Sequence, residues 1–315
     1  MTKNIKDSKL HTDQALAACK DHELLKTAIV HPVKSKALIA AKDAFDEGLI
    51  DPVLVGPEDR IKSAADEASV DISQWDLIAT EHSHAAASIS CEMAGKGEVE
   101  ALMKGALHSE EILGAVIRAK SLRTERRISH VYAMEVETYH KPFLLTDAAI
   151  NIVPDLKTKA DIVQNAINLW HVLNDDGEIP KVALLAAVEM VKPDMQATID
   201  AASLCKMADR GQIQGGLLDG PLAFDNAISR EAAEHKGIKS DVAGDPDILV
   251  APDLEAGNIM AKQMTFISEA QAAGIVLGAR VPIILTSRAD SLRTRLLSCA
   301  LAVKLAVARR EGKIK

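Results

Sequence analysis

Aromatic residues and cysteines are both scarce in this sequence. Phe, Trp and Tyr together make up 3% of the 315 residues, which disfavours the base-stacking surfaces of proteins that bind single-stranded nucleic acids. The four cysteines, Cys19, Cys91, Cys205 and Cys299, are far apart and form no CxxC pair. A structural zinc site or a disulfide framework is therefore not expected, and the default compartment is a reducing cytoplasm.

Long apolar runs are also missing. The apolar stretch from Leu296 is interrupted by Lys304, and the one from Ala272 ends at Arg280, whereas a membrane-spanning helix needs roughly 18 apolar residues or more. Residues 1–9 are polar and mixed in charge, without the apolar core of a signal peptide. The sequence predicts a soluble cytoplasmic protein that has no membrane partner.

Several common functional motifs are absent. There is no GxGxxG after a predicted strand and no GxSxG, and residues 114–121 lack the glycine that a Walker loop needs before Lys120. Residues 81–84 read Glu-His-Ser-His, but two histidines two positions apart lack a supporting set of metal ligands. Dinucleotide, hydrolase and metal sites of the usual kinds are therefore disfavoured.

The charge balance is acidic, with 37 Lys and Arg against 45 Asp and Glu and a net charge of −8. This argues against a general nucleic-acid-binding protein but allows a local basic site for a small anion. The length predicts two domains or one large one.

Short apolar runs alternate with longer amphipathic segments from about residue 25. Strands that are apolar throughout and separated by helices indicate parallel sheets covered on both faces, so the fold class is α/β. Strands are predicted at 27–30, 52–55, 76–79, 99–103, 182–188, 247–251 and 281–286, and helices at 34–49, 58–69, up to 93, 157–173, 194–209, from about 257 and from about 291.

The alternation is broken at 128–136 and 142–146, two extended runs joined through Tyr139-His140-Lys141. Adjacent strands of this kind predict an antiparallel pair, which we interpret as a hinge between two halves of the chain.

Ligands of open α/β sheets bind where strands end and helices begin, because helix N-termini favour anions. The most informative segment of this kind is 281–291, in which an apolar strand leads into Ser287 and Arg288 before the last helix. A hydroxyl, a guanidinium and backbone N–H groups together suit a phosphate or a developing oxyanion. The alternative is that Ser287, Asp290 or Ser291 caps the helix while Arg288 is solvated.

Two further segments follow predicted strands. In residues 251–258, Gly257 allows close approach of a ligand or another backbone, and Asn258 can donate or accept hydrogen bonds. In residues 102–109, Lys104 and His108 are placed to face an anion. An ordinary loop and cap, a surface lysine and a hydrogen-bonded histidine are the alternatives. Residues 218–225 are rich in turn formers and are compatible with a simple turn.

At these same segments the sequence resembles the phosphate acetyltransferase/phosphate butyryltransferase family. The likeness covers nearly the whole chain beyond about residue 25, and many long motifs in order are more specific than any single one. The motifs are Leu-Met-Lys-Gly at 102–105, Leu-Arg-Thr at 122–124, Ile-Ser-His-Val at 128–131, Thr-Asp-Ala-Ala-Ile-Asn-Ile at 146–152, Leu-Asp-Gly-Pro-Leu-Ala-Phe-Asp-Asn at 218–226, Pro-Asp-Leu-Glu-Ala-Gly-Asn at 252–258 and Leu-Thr-Ser-Arg-Ala-Asp-Ser at 285–291.

The resemblance implies a fold like that of isocitrate and isopropylmalate dehydrogenases, with two α/β domains, mostly parallel sheets and an interdomain cleft, in a homodimer. Domain I is expected at 1–145 plus 280–315 and carries the Ser-Arg site; domain II is expected at 146–279, with the cleft and the dimer interface. The implied reaction is acyl-CoA plus phosphate giving acyl phosphate plus CoA. The implied reaction needs no metal or redox cofactor. Its substrates are CoA, acyl-CoA, phosphate and acyl phosphate. Neither nucleic acid nor a membrane is expected as a partner.

By the same resemblance, Ser287 stabilises the tetrahedral centre and Arg288 neutralises phosphate. The acetyltransferase branch has a catalytic aspartate seven positions after the serine, where this chain has Thr294; Asp290 is the carboxylate left in this stretch and is our candidate base. The expected substrate-binding residues are Arg288, Lys104, His108, Asp253, Gly257 and Asn258.

A second departure is Gly114, which stands where the family often has an arginine. Arg118, one helical turn later, is the candidate replacement.

Two other functions remain open. A regulator that binds CoA or acyl phosphate without catalysis would fit the replacement of the base by Thr294. A metal- and NAD-dependent dehydrogenase of the same fold would need metal carboxylates and a dinucleotide loop, which are not visible. The expected acyl group is acetyl, with butyryl as the alternative, because one methylene is worth only ~1–3 kcal/mol of discrimination.

Overall fold

The computed structural model describes Cys19 and residues 22–174, 177–285 and 290–314. The chain forms two compact units. We call Arg127–Ala272 the central unit, and the described residues through Arg126 together with those from Ala273 onward the N-terminal unit. The predicted domain limits at 145 and 280 stay a prediction.

The N-terminal unit is built on a mostly parallel sheet in the strand order β3-β2-β1-β4-β11-β10. Neighbouring strands are parallel except for β10 and β11, which are antiparallel. Most residues of β10 belong to this unit. The strands are β1 (Leu25–Val30), β2 (Ile50–Gly56), β3 (Asp76–Ala79), β4 (Ala101–Lys104), β10 (Gln271–Leu277) and β11 (Ile283–Ile284).

Helices of this unit follow the strands, as the alternation predicts. Each has a small-residue or aliphatic stripe, such as Leu38, Ala41 and Ala44, that is buried in the unit; such stripes stabilise a helix by packing rather than by intrinsic propensity. The helices are α1 (Ser35–Asp46), α2 (Glu58–Ala68), α3 (Ser83–Lys96), α4 (Ser109–Arg118) and α10 (Leu292–Arg310), with a short 3-10 helix at Lys120–Leu122.

The central unit has its own sheet, in the order β5-β6-β9-β7-β8. The antiparallel pairing of β5 with β6 confirms the predicted break in the alternation, and the other neighbours are parallel. The strands are β5 (Ser129–Glu135), β6 (Phe143–Thr146), β7 (Lys181–Leu185), β8 (Leu217–Leu222) and β9 (Ile248–Val250), and the helices are α5 (Leu156–Leu173), α6 (Gln196–Asp209), α7 (Phe224–Ile228), α8 (Arg230–His235) and α9 (Leu254–Phe266).

The two hydrophobic cores consist of strand residues and the helix faces that cover them. In the N-terminal unit, Ile29, Leu54 and Leu102 are fully buried. In the central unit, Leu145 and Leu249 belong to one buried cluster with residues of several helices. The α/β fold class is therefore confirmed.

Two strand predictions differ from the structure. Residues 218–225 were interpreted as compatible with a simple turn, but Leu217–Leu222 form β8, which lies at one end of the central sheet and pairs with β7. Of the last predicted strand, 281–286, the described part contains β11 at Ile283–Ile284, which pairs with β4, and Thr286 lies outside the described residues. Within the described ranges, no helix combines the length and apolarity needed to span a bilayer.

Candidate active site

Lys104 lies where three strands of the N-terminal unit end side by side. It is the last residue of β4 and pairs with Val30 of β1, while Met103 pairs with Ile284 of β11. These strands are parallel, so their carboxyl ends meet at one edge of the sheet, the usual place for ligands in such folds. Lys104 is thus at the edge from which the segment after β11 departs.

Gly105 fixes the path of the chain after Lys104. Its N–H donates to the carbonyl of Val30 (2.9 Å), and the N–H of Ala106 donates to the carbonyl of His31 (2.9 Å). A Cβ at position 105 would lie 2.8 Å from the carbonyl oxygen of His31 and closer still to that of Val30, distances that real Cβ atoms do not adopt. Only glycine permits this close approach of two strand ends, which explains the Lys-Gly pair physically.

Ser287 and Arg288, the residues on which the sequence-based mechanism depends most, lie outside the described residues. Asp290, the candidate base, is half-buried immediately before α10. The Oγ of Ser291 caps this helix by accepting the N–H of Thr294 (3.1 Å), and its hydroxyl donates to the Thr294 Oγ1 (3.0 Å). Of the residues considered as caps, Ser291 therefore has that role, and the Thr294 hydroxyl takes part in the cap.

His108 is exposed at the start of α4. The backbone N–H of His108 donates to the Glu111 Oε2 (2.8 Å), and the Glu111 Oε1 accepts a hydrogen bond from the Ser83 hydroxyl (2.6 Å). Hydrogen bonds from Ser83 and from the His108 N–H lower the pKa of Glu111. His108 is thus held by its backbone, and its side chain as a phosphate ligand stays a prediction.

The three predicted substrate-binding residues of the central unit have structural contacts. Asp253 caps α9 by accepting the N–H of Ala256 (2.9 Å), and the Asn258 Nδ2 donates to the carbonyl of Ala148 (2.9 Å). A Cβ at Gly257 would lie 3.2 Å from the Ala148 Cα and closer to the carbonyl oxygen of Asp147. Gly257 and Asn258 thus hold α9 against the loop that follows β6, and substrate binding by the three residues stays a prediction.

That loop is organised by Asp147, a buried carboxylate whose role the sequence did not reveal. It accepts the N–H groups of Ala149 (3.0 Å) and Ile150 (3.1 Å) and the Asn151 Nδ2 (2.6 Å). His130 is also buried, and burial lowers its pKa to about 4 against the opposing effect of Asp147. His130 is therefore neutral near pH 7.

A cavity of about 640 Å³ opens beside Lys104 in the N-terminal unit. Its wall includes the start of α1, the end of β4 and Arg295 of α10. Lys34, Lys36 and Arg295 line this cavity, and sequence reasoning did not single them out. The available signal was that Lys34 and Lys36 follow β1 at the point where the chain enters the next helix, α1.

Arg118 folds back over Gly114. Its Nη1 lies 3.2 Å from the place that a Cβ at position 114 would occupy. The Arg118 guanidinium therefore lies next to the position at which the phosphate acetyltransferase/phosphate butyryltransferase family often has an arginine. Substrate binding by Arg118 stays a prediction.

The match to known proteins covers most of the chain. A family model described as "Phosphate acetyl/butaryl transferase" matches residues 78–303. Phosphate acetyltransferase of Rickettsia typhi is 56% identical over 279 residues, which are 88% of this chain and 80% of the relative. Phosphate butyryltransferase of Clostridium acetobutylicum is 39% identical over 295 residues, 93% of this chain and 97% of the relative.

The structure is similar to that of a branched-chain phosphotransacylase from Enterococcus faecalis V583. The TM-score is 0.76 at 28% identity, and the match covers 90% of this chain and 99% of that one. By its sequence motifs, its family match and its relatives, the chain belongs to the phosphate acetyltransferase/phosphate butyryltransferase family.

Proposed function

We propose that the protein transfers a short acyl group between CoA and inorganic phosphate. The observation that carries the proposal is the family match over residues 78–303, which includes both Lys104 and the Ser287-Arg288 segment. The position of Lys104 at the end of β4, beside β11, supports a phosphate site at this edge of the sheet. Acetyl is the preferred acyl group, because the acetyltransferase relative is more similar than the butyryltransferase one.

In the proposed mechanism the CoA thiolate attacks the carbonyl carbon of the acyl phosphate. A thiol with a pKa of ~8.5 is only a few per cent ionised at pH 7, so a base within hydrogen-bond reach, for which Asp290 is the candidate, removes its proton. Ser287 stabilises the oxyanion of the tetrahedral intermediate; losing one such donor typically costs ~3 kcal/mol. The C–O bond to phosphate then breaks, and Arg288 with Lys104 holds the departing phosphate dianion.

We further propose that the two units correspond to the two domains of an isocitrate dehydrogenase-like fold. The mostly parallel sheet in each unit supports this assignment. The interdomain cleft, the homodimer and the absence of any metal or redox cofactor stay predictions from the resemblance.

The test is a phosphate-dependent assay of CoA release from acetyl-, propionyl- and butyryl-CoA. We expect turnover that needs phosphate, persists in EDTA and requires no nicotinamide, with acetyl-CoA the best substrate. Dependence on a divalent metal and NAD would identify a dehydrogenase instead. Saturable CoA binding without any cleavage of acyl-CoA in arsenate would identify a regulator.

A further inference from the structure

We propose that Glu111 is a positioning residue for phosphate binding, because its carboxylate fixes the segment that runs from Lys104 to the start of α4. The inference rests on the proposed function, in which Lys104 holds the phosphate. Glu111 is in the first turn of α4, and its side chain is 18% exposed. It acts through the backbone of its neighbours rather than by contact with the substrate.

Residues 105–108 connect the end of β4 to α4, and hydrogen bonds hold both ends of this segment. At its first end, the N–H groups of residues 105 and 106 donate to two carbonyls where β1 ends (2.9 Å each). Within the segment, the Leu107 side chain is buried. At its second end, the backbone N–H of His108 donates to the Glu111 Oε2 (2.8 Å). The Glu111 carboxylate therefore holds the far end of a four-residue segment that begins directly after Lys104.

The other oxygen of the Glu111 carboxylate joins the same segment to α3. The Glu111 Oε1 accepts a hydrogen bond from the Oγ of Ser83 (2.6 Å), the first residue of α3, and the His84 Nε2 is 3.4 Å from the same oxygen. The hydrogen bonds from Ser83 and His108 lower the pKa of Glu111, so its carboxylate is ionised at neutral pH. Hydrogen bonds to an ionised acceptor are roughly twice as strong as neutral ones.

These contacts lie at the edge of the sheet where Lys104 is found. Helix α3 follows β3 and helix α4 follows β4, so one carboxylate links the segments that leave two parallel strands at their carboxyl ends. A ligand group is held accurately when hydrogen bonds of this kind fix the backbone around it. We expect the position of Lys104 to depend on Glu111 for this reason.

The negative charge of Glu111 by itself opposes phosphate binding, because a carboxylate repels a phosphate dianion. Removal of the charge alone should therefore strengthen phosphate binding. Removal of the hydrogen bonds should weaken it, because a displacement of about 1 Å is enough to disturb a productive contact greatly. The two effects have opposite signs, so the direction of the change in KM for phosphate separates position from charge.

Glu110 provides a matched control. It precedes Glu111 in the same helical turn and is exposed, and its carboxylate has no hydrogen-bond partner among the described residues. Glu110→Ala thus removes the same charge from the same turn without releasing the segment. The KM for phosphate of this control should stay unchanged or fall.

The experiment is steady-state kinetics of Glu111→Ala, Glu111→Gln and Ser83→Ala beside this control. Alanine removes both hydrogen bonds, whereas glutamine keeps one acceptor oxygen and retains one of them. We expect the KM for phosphate to rise about tenfold in Glu111→Ala and about threefold in Glu111→Gln and Ser83→Ala. The kcat and the KM for acetyl-CoA should be unchanged, because Lys104 contacts the phosphate before and during the reaction alike.

Amide hydrogen exchange over residues 105–108 is the second measurement. Exchange should be faster in Glu111→Ala and unchanged in Glu110→Ala, because only the first variant releases the segment. Exchange and calorimetric titration with inorganic phosphate need no acyl transfer. A wild-type protein that transfers no acyl group would contradict the proposed function, while these two measurements would still test the role of Glu111.

Three results would overturn the inference. One is an unchanged KM for phosphate, or an unchanged phosphate affinity in the titration, in Glu111→Ala. The second is an equal rise of this KM in Glu110→Ala. The third is a combined loss of kcat and of both substrate affinities, which would indicate general structural damage. If Glu111→Ala does not fold, Glu111→Gln and Ser83→Ala decide the question, and an unchanged KM for phosphate in both would overturn the inference.

Discussion

One glycine in each unit permits a close backbone contact because it has no side chain. Gly105 allows the end of β4 to contact the end of β1, and Gly257 allows α9 to contact the loop after β6. In both cases a backbone carbonyl occupies the space that a Cβ would need. Lys104 is positioned by the contact that Gly105 permits.

Gly105→Ala should destabilise the protein and impair the reaction together. Relieving the contact with the Val30 and His31 carbonyls must move the strand ends, at a cost of about 3 kcal/mol, and Lys104 moves with them. Urea unfolding and the KM for phosphate measure the two effects. The control is Gly48→Ala, where φ is +74° but the space is open; it should cost about 1 kcal/mol and leave the KM unchanged. A normal KM for phosphate in Gly105→Ala would show that the position of Lys104 does not matter for phosphate binding.

Arg288→Ala should lower kcat/KM at least ~100-fold, with the KM for phosphate most affected, because a charged contact to the dianion is lost. Added guanidinium should restore part of the activity of this variant and leave the activity of the wild type unchanged. Near-normal kinetics of Arg288→Ala would remove Arg288 from the mechanism.

At the residue scale, the sequence predicted the positions of polar residues at strand ends more accurately than the contacts that these residues make. Asp253 and Asn258 follow a strand as predicted, yet their observed contacts are a helix cap and a bond to the Ala148 carbonyl. Caps and anion sites use the same residue types at the same place, the start of a helix. Composition therefore does not separate the two, and Arg295 was missed because it lies one turn inside α10.

At the element scale, periodicity predicted helices more accurately than strands. The predicted helix at 157–173 is observed as Leu156–Leu173, since its apolar stripe is continuous. β8 was obscured by Asp219-Gly220-Pro221, a turn-forming sequence that an edge strand tolerates because one of its sides needs no ladder bonds. β10, at Gln271–Leu277, was not predicted because its uniformly apolar run is compatible with a buried helix as well.

Helices α5 and α6 are joined by a buried ion pair. The Lys159 Nζ is 2.7 Å from the Asp200 Oδ2, and both side chains are less than a tenth exposed. Asp200→Ala should cost about 3–5 kcal/mol of unfolding free energy, because it leaves a buried charge unpaired. The double variant Lys159→Met/Asp200→Leu should recover most of that loss. Urea unfolding measures both, and a double variant as unstable as the single one would contradict this explanation.

The amino ends of β6, β7 and β9 are joined by Asp245. Burial disfavours its ionised form, but hydrogen bonds from Lys141, Lys181 and His140 outweigh burial and hold the pKa of Asp245 well below its ordinary 3.8. A depressed pKa stabilises the folded state above the unfolded-state value, and the stabilisation is lost as pH falls through the folded-state value.

Asp245→Asn should therefore destabilise the protein by a constant amount near neutral pH, and the difference from wild type should shrink below about pH 4. Urea unfolding between pH 3 and pH 8 measures it. Asp209→Asn, which removes an exposed pair with Lys206, should change stability little at any pH. A difference that grows on acidification would contradict the assignment.

For the molecule as a whole, the cysteines disfavour a covalent acyl-enzyme route. Burial raises the pKa of Cys91, Cys205 and Cys299 to about 12 in each case, so their nucleophilic thiolate forms are scarce near neutral pH. We expect direct transfer, with intersecting lines in initial-rate plots and retention of most activity in Cys299→Ala. Parallel lines, or loss of activity in a folded Cys299→Ala, would support the acyl-cysteine route.

The N-terminal unit is discontinuous, because β11 and α10 return to complete the sheet beside β4. During synthesis the central unit emerges from the ribosome as one uninterrupted stretch. In contrast, β11, which pairs with β4, is translated about 180 residues after β4. At typical elongation rates this interval lasts roughly 10–40 s. The nascent chain therefore exposes an unpaired strand edge during that interval. Lys104, at the end of this strand, reaches its final surroundings only when translation of the last helix is complete.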